Sequence, residues 1–381
     1  MNYIPRQITP LILRAEKYFP VVVITGPRQS GKSTLARTIF PDFREYNFED
    51  VSLREKVADD PKLFLDNCGG KVILDEVQHI PDLFSYIQIA VDHDEQRRFI
   101  LSGSNNFALM EKITQSLAGR AALFTLLPMS LKECGTYSNN STEELLCNGL
   151  YPSVITGKRP SDLFYPGYYS TYIERDVRQL RNISSMNQFK TFMRLLAGRC
   201  GTEFNANALA TEIGITSPTV KSWLSILEAS YIVFTLSPYY ANINKRLTKT
   251  PKVYFYDTGL LCFLLGINTA DHLENHPLRG AVFENLAVIE LLKEQYNTGK
   301  SSNLYFYREN RGKEVDIVRF DGISIDLFEV KAAKTFHSDF TRNLKYLSDV
   351  LGDKVRDSVV VYDGDYIPPS VINIRQLTTK Y

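Results

Sequence analysis

Gly26, Pro27, Arg28, Gln29, Ser30, Gly31, Lys32, Ser33 and Thr34 follow directly on the apolar run Val21, Val22, Val23, Ile24. Their spacing, G-x-x-x-x-G-K-[ST], suits a chain of phosphates. The two glycines allow backbone angles and a closeness of approach that a side chain would obstruct, so successive N–H groups can face phosphate oxygens at a helix N-terminus. Lys32 would reach the β- and γ-phosphates, and the Ser33 hydroxyl would ligate Mg²⁺. A strand-turn-helix can match this spacing by chance. Here both flanks are right, with an apolar strand before and helix-forming residues 32–40 after. ATP with Mg²⁺ is therefore the expected ligand of residues 26–34.

Two carboxylates come next. Residues 71–76 form an apolar strand that ends in Asp75 and Glu76, the Walker B pattern. Asp75 at the C-terminal end of a strand can hold the metal, directly or through water, and Glu76 can polarise the attacking water. Alone, the segment would read equally as a buried strand running into an acidic turn; downstream of the phosphate loop it reads as part of the same site. Residues 98–102 are a further apolar strand, delivering Gly103, Ser104, Asn105 and Asn106 to the same sheet edge. Ser104 or Asn105 could hydrogen-bond the attacking water or γ-phosphate, the sensor role, and either could equally cap the next helix. Arg120 stands in a loop before the strand-like residues 122–127. It is a candidate arginine finger for the γ-phosphate of its own or a neighbouring subunit, against the ordinary alternative of a surface salt bridge.

A second constellation lies in the last third. Glu284 sits near the start of an apolar helix, 279–292, and residues 304–308, 314–318 and 327–331 read as strands, the last two carrying Asp316 and then Glu329 and Lys331. Glu329 and Lys331 are two apart and share a face, where Asp316 of the neighbouring hairpin strand can meet them. Two or three carboxylates there would bind Mg²⁺, and the lysine could position or activate water for attack on a phosphodiester. A solvated strand face gives the same pattern. Against that, these charges interrupt an apolar run, and buried charges are normally paired or bind metal.

The strings GPRQSGKST, KVILDEVQHIPDLF, FILSGSNNF and SLAGRAALFTLLPMS together resemble the AAA-type ATPases of bacteria and archaea that carry an uncharacterised C-terminal region. The likeness continues through YYSTYIERDVRQL and the terminal third. The resemblance implies ATP binding and hydrolysis by an additional-strand α/β domain, followed by a winged-helix-like segment and a restriction-endonuclease-like module. In it the Arg175-Asp176 pair recurs, and Arg175 could reach toward nucleotide from the lid side; a helix-surface ion cluster with Glu174 is the plain alternative. Glu284, Asp316, Glu329 and Lys331 match the motif positions of the PD-(D/E)xK nuclease core, although such a fold does not establish cleavage.

Positioning these groups takes an α/β fold in three parts: a P-loop AAA-type ATPase domain over 1–150, a helical and winged-helix-like segment over 151–270, and a restriction-endonuclease-like α/β domain over 271–381. In the first part, 8–18 reads as an amphipathic helix, 43–47 as a strand and 52–65 as a helix broken at Pro61. Residues 150–159, with Pro152 and Gly157, read as a linker. Residues 207–213 and 219–229 are amphipathic helices separated by Gly214 as C′ residue, Ser217 as N-cap and Pro218 as the first helical position, a helix-turn-helix signature. Residues 231–236 and 253–256, with the basic stretch 244–252 between them, would form the wing. On DNA, Thr219, Lys221, Ser222, Lys245, Arg246, Lys249 and Lys252 would meet phosphates and base edges. The same fold often serves only for packing, and Trp223, Leu224 and Leu227 read as its core.

A chain of 381 residues implies more than one core. The formal net charge of +1 excludes a global polyelectrolyte field, so any DNA binding must use local patches. Five cysteines lie far apart with no C-x-x-C pair, which fits free thiols in a reducing compartment. Of five histidines only His272 and His276 are spaced like ligands, and no zinc is assigned. No basic N-terminal region leads into a long apolar one, and no run approaches a membrane span. The expectation is a cytoplasmic protein without a membrane partner, binding ATP, with DNA and a second copy of itself as further candidate partners. Two functions fit: ATP-gated DNA processing, or a nucleotide-dependent signalling or scaffold switch whose nuclease-like domain is inactive and binds protein partners. A nucleotide kinase fits less well, because no lid or acceptor motif follows the sensor strand.

Overall fold

The computed structural model describes residues 3–104, 115–135, 140–172, 185–240, 250–309 and 312–381. They form two compact units. The first comprises Met1–Met129, Ala229–Tyr231 and Gln295–Lys300; the second comprises Ser130–Glu228, Ile232–Glu294 and Ser301–Tyr381.

In the first unit, β1 (Val21–Thr25), β2 (Arg44–Asn47), β3 (Lys71–Asp75), β4 (Arg98–Gly103) and β5 (Ala121–Thr125) make a parallel sheet in the order β2-β3-β4-β1-β5. Parallel sheets are covered on both faces, which is why the strands β1, β3 and β4 carry apolar runs rather than alternating. Val21 and Val23 enter one core with Val72, Leu74, Phe99 and Leu101. Val22 and Ile24 enter the other with Ile73, Ile100 and Leu126. Helices α1 (Thr9–Glu16) and α2 (Lys32–Ile39) cover the second face, and α3 (Val51–Asp59), α4 (Pro61–Asn67) and α5 (Leu83–His93) the first. The break between α3 and α4 has a local cause: Asp60 caps the second helix through the Leu63 N–H, and Pro61 opens it. β4 lies between β1, which leads into Gly26, and β3, which ends in Asp75, the additional strand that the resemblance implies.

In the second unit, β6 (Val233–Pro238), β7 (Lys252–Phe255), β8 (Leu304–Arg308), β9 (Glu314–Phe320), β10 (Ile325–Lys331), β11 (Val355–Tyr362) and β12 (Val371–Asn373) form one sheet in the order β12-β11-β10-β9-β8-β6-β7. β8, β9 and β10 run as an antiparallel meander and β11 lies parallel to β10. A helix, Arg279–Asn297, precedes the meander, and another, Arg342–Leu351, links β10 to β11.

Several boundaries differ from expectation. The hairpin β6–β7, foreseen as the wing of a separate middle segment, is part of the C-terminal sheet, because β6 pairs with β8. The first unit's leading stretch ends at Met129 rather than at residue 150, and the segments 151–270 and 271–381 share one unit. The foreseen linker is packed: Tyr151 is buried, its ring 5.1 Å from that of Phe164 and 5.2 Å from that of Tyr168, and Pro152–Ile155 is helical. Aromatic burial there outweighs the turn-forming tendency of proline and glycine. Gly214 does end its helix in the left-handed region, φ 74°. The next helix is Ser217–Ala229, and Thr216 rather than Ser217 receives a first-turn N–H, that of Thr219, at 3.3 Å. Trp223 packs on Phe189 and Phe192 at 5.3 and 5.6 Å, in the core as expected. All five cysteines are free thiols. Among the described residues no helix is long and apolar enough to cross a membrane.

Candidate functional site

The loop after β1 turns where only glycine fits. Gly26 has φ 138°, and a Cβ there would stand 2.2 Å from the Leu126 carbonyl oxygen. Gln29 and Gly31 are also left-handed, φ 62° and 99°, which wraps the loop onto the N-terminus of α2. Lys32, 5% exposed, turns its ammonium back into the loop and donates to the carbonyls of Gly26 at 3.0 Å and Pro27 at 2.9 Å. Burial pushes that ammonium down from its ordinary 10.5 to about 8, against the pull of Glu76 and Asp75. Ser30 is fully buried and its hydroxyl has no hydrogen-bond partner.

Asp75 ends β3, and the Ser102 hydroxyl of β4 donates to its carboxylate. Glu76, next in the chain, has a left-handed backbone, φ 53°. A non-glycine residue held there is strained and must be fixed by its surroundings. The fixing groups are Gln78, whose amide donates to Glu76 Oε2 at 2.5 Å, and Ser104, whose hydroxyl donates to the same oxygen at 3.2 Å. Of the two sensor candidates Ser104 thus meets Glu76. Asn105 lies outside the described residues, as do Glu174, Arg175, Asp176, Lys245, Arg246 and Lys249.

In the second unit β9 and β10 bring Asp316, Glu329 and Lys331 together. Asp316 Oδ2 accepts from the Val330 N–H at 2.7 Å, and Lys331 donates to Glu329 Oε1 at 2.7 Å. Glu329 Oε2 is buried without a hydrogen-bond partner. Glu284 joins from its helix, accepting from the Tyr254 hydroxyl at 2.5 Å. Burial raises Glu329 to about 8 and Glu284 to about 7, with Asp316 adding to each shift. Lys252, foreseen as a phosphate contact on the wing, is instead 2% exposed, with its ammonium 2.5 Å from Glu314 and 3.3 Å from Glu284. A lysine so placed cannot also face a DNA phosphate. Among the described residues no three histidine, cysteine, aspartate or glutamate side chains converge closely enough to hold a metal ion. His276 Nδ1 accepts from the Leu278 N–H at 3.2 Å.

An AAA domain model matches residues 18–135, and two domains of unknown function, DUF8612 and DUF4143, match residues 139–271 and 279–377. Uncharacterized proteins of Mycobacterium tuberculosis and Mycobacterium bovis are each 31% identical over 368 residues, covering 95% of this chain and 80% of theirs. The chain belongs to their family. An uncharacterized protein of Haemophilus influenzae is 22% identical, covering 82% of this chain and 80% of its own. Among solved structures, the Walker-type ATPase PABY2304 of Pyrococcus abyssi shows a partial likeness: 14% identity, 69% of this chain and 96% of that one, TM-score 0.47. With the AAA match, the parallel sheet and the loop on β1, the first unit is an AAA-type P-loop ATPase domain.

Within that domain the structure moves one candidate away from the loop. β1 and β5 run parallel with Val21 opposite Ala121, so Arg120 lies at the edge of the sheet where β1 begins, while the loop lies where β1 ends. Five residues of strand separate the two, roughly 16 Å at about 3.3 Å per residue. Arg120 donates to both carboxylate oxygens of exposed Asp92, at 2.6 and 2.9 Å. It is therefore no finger for the γ-phosphate of its own subunit. Other contributors fall outside the motif. Arg6 is buried and donates to the carbonyls of Ser30 at 2.8 Å and Leu127 at 2.7 Å. In a trans peptide the carbonyl and the following N–H point opposite ways, so holding the Ser30 carbonyl aims the Gly31 N–H away from Arg6. Tyr231, φ 54°, places its hydroxyl 2.9 Å from the Thr25 hydroxyl, immediately before the loop.

Proposed function

We propose that the chain binds ATP with Mg²⁺ at residues 26–34, hydrolyses it, and passes its nucleotide state to the DNA-binding or nuclease-like modules of the second unit. The observation that carries the proposal is Lys32, a buried ammonium hydrogen-bonded to the loop's own carbonyls, its pKa lowered by burial. A phosphate chain would replace those carbonyls and stabilise its charge. The orphaned Ser30 hydroxyl and the tight fit at Gly26 also support a loop shaped for an anion.

Ser33 and Asp75 are hard oxygen donors of the kind Mg²⁺ takes, and they fit it. When bound, the ion neutralises charge on the phosphates. Glu76 orients and deprotonates the attacking water, its carboxylate kept in place by Gln78 and Ser104. Ser104 senses the γ-phosphate through that shared oxygen. Arg120 remains a candidate only for the site of a neighbouring copy.

The test is ATP turnover by wild type, Lys32→Ala and Glu76→Gln, each with and without duplex DNA. Turnover lost in both variants, and raised by DNA with the steep salt dependence of phosphate contacts, supports the proposal; turnover that survives Lys32→Ala overturns it. In the second unit, the run of helix, three-strand meander, helix and parallel strand supports a PD-(D/E)xK-like core, with Glu284, Asp316, Glu329 and Lys331 at its motif positions. DNA cleavage that disappears in Lys331→Ala would bear out a nuclease. The alternative, a nucleotide-dependent switch with an inactive nuclease-like domain, is favoured by Lys252, whose ammonium lies on Glu284.

A further inference from the structure

The carboxylates of the second unit are already supplied with cations by the chain itself. Glu284, Glu314, Asp316 and Glu329 face two ammonium groups, Lys252 and Lys331. Lys331 comes from the same strand as Glu329 and belongs to the pattern read from the sequence. Lys252 does not. It arrives from β7, at the far end of the sheet order from β12 and outside the stretch 279–362 that carries the four acids.

Its setting is built rather than incidental. The ammonium lies 2.5 Å from Glu314 Oε1, 3.3 Å from Glu284 Oε1 and 5.2 Å from the centre of the Phe306 ring. Tyr254, two residues on and so on the same face of β7, donates to the same Glu284 oxygen. Burial alone would loosen this lysine's proton, but Glu284, Asp316 and Glu314 outweigh it and hold the proton more tightly than usual. A buried charge of this kind persists only where its partners repay the lost hydration. A divalent ion on Glu284 would have to sit beside that fixed positive charge, which repels it.

We propose that Lys252 is the resident cation of this pocket, taking the place on Glu284 that a divalent metal ion would need. The pocket as folded excludes Mg²⁺ and Mn²⁺, and it accepts one only when the Lys252 ammonium is withdrawn. This rests on the nuclease-like arrangement of the acids and not on cleavage. It names what keeps that arrangement silent.

The experiment is Mn²⁺ uptake by the full chain without nucleotide, followed by the electron paramagnetic resonance signal of the free ion. Wild type, Asp316→Asn, Lys252→Met, Lys252→Gln and Lys252→Met with Asp316→Asn are compared, with circular dichroism as the check on folding. Wild type and Asp316→Asn are expected to take up the same Mn²⁺. Lys252→Met gains one Asp316-dependent ion, bound roughly tenfold or more tightly than any uptake by wild type, a span typical of groups that tune metal affinity. Lys252→Gln keeps a hydrogen-bond donor while losing the charge, and serves if the methionine variant does not fold. Asp316-dependent Mn²⁺ in wild type overturns the proposal, and so does a folded Lys252 variant that gains none. Because the readout is metal and not cleavage, a variant that takes up Mn²⁺ yet leaves DNA intact upholds Lys252 as the cation and defeats the nuclease reading alone.

Discussion

Replacing Lys32 by methionine should stabilise the nucleotide-free AAA unit while abolishing ATP binding. The side chain is 5% exposed, and burial lowers its pKa from 10.5 to about 8. A tenfold change in a protonation equilibrium is worth about 1.4 kcal/mol, so the charged lysine costs the folded unit about 3 kcal/mol. Methionine has similar length and no charge. It also leaves the Gly26 and Pro27 carbonyls without their donor, a loss of about 1 kcal/mol each. The net is a gain of about 1 kcal/mol, or a melting shift of roughly 2–4 °C for a unit of this size. The sign fixes the pH dependence. Because the folded pKa lies below the unfolded one, wild type carries the full cost below pH 8 and loses it as pH rises toward 10.5. Calorimetry without nucleotide, from pH 7 to 10, should therefore show the gap between variant and wild type closing above pH 8 and changing sign before pH 10. The AAA transition is the one that ATP raises in wild type, by about 2.7 kcal/mol at a hundredfold excess over Kd, and ATP should not move it in the variant. A variant less stable than wild type at pH 7, with a gap indifferent to pH, would refute the account of Lys32 as a charge kept waiting for phosphate.

Glu76→Gln should retain ATP affinity while turnover falls at least about 100-fold, the usual worth of a positioned general base; equilibrium binding and steady-state turnover separate the two. Arg6→Gln should weaken ATP and ADP binding by roughly tenfold, the worth of a hydrogen bond to a charged group, and leave adenosine binding unchanged. Equal losses for all three ligands would reduce Arg6 to a folding role. Arg120→Ala should leave turnover within about twofold of wild type in dilute solution, since an exposed pair with Asp92 contributes at most about 1 kcal/mol. A deficit that grows with protein concentration would instead place Arg120 at a neighbour's site.

The P-loop and the strand ending in Asp75 were legible because their chemistry is local. Glycine, lysine and hydroxyl stand at fixed offsets within nine residues, and uninterrupted apolar runs announce strands buried on both faces. What escaped depends on contacts between distant residues. Arg6 precedes the loop carbonyl it holds by 24 positions, and Tyr231 follows Thr25 by 206. Neither has a local signature. Ser102 looked like one more strand residue until β4 was placed beside β3. Arg120 misled for the same reason: its distance from the loop is set by parallel pairing rather than by chain position. Residues 244–252 read as one basic stretch, yet Lys252 begins a buried strand, and periodicity cannot tell a lysine bound for solvent from one bound for a cluster of acids. The linker at 150–159 failed because Tyr151 outweighed Pro152 and Gly157.

The AAA unit is assembled from three separate stretches of chain. Tyr231 reaches Thr25, Asn297 donates to Gln7 at 3.3 Å, and Gly299 fits against Leu11 so closely that a Cβ would lie 2.7 Å from its methyl. A gene cut after residue 129 or 135 would therefore deliver the motif but not the whole unit. The borders of the matched AAA segment, 18–135, mark what is shared with other ATPases rather than a place to divide this one. Expression trials and limited proteolysis should treat the chain as indivisible.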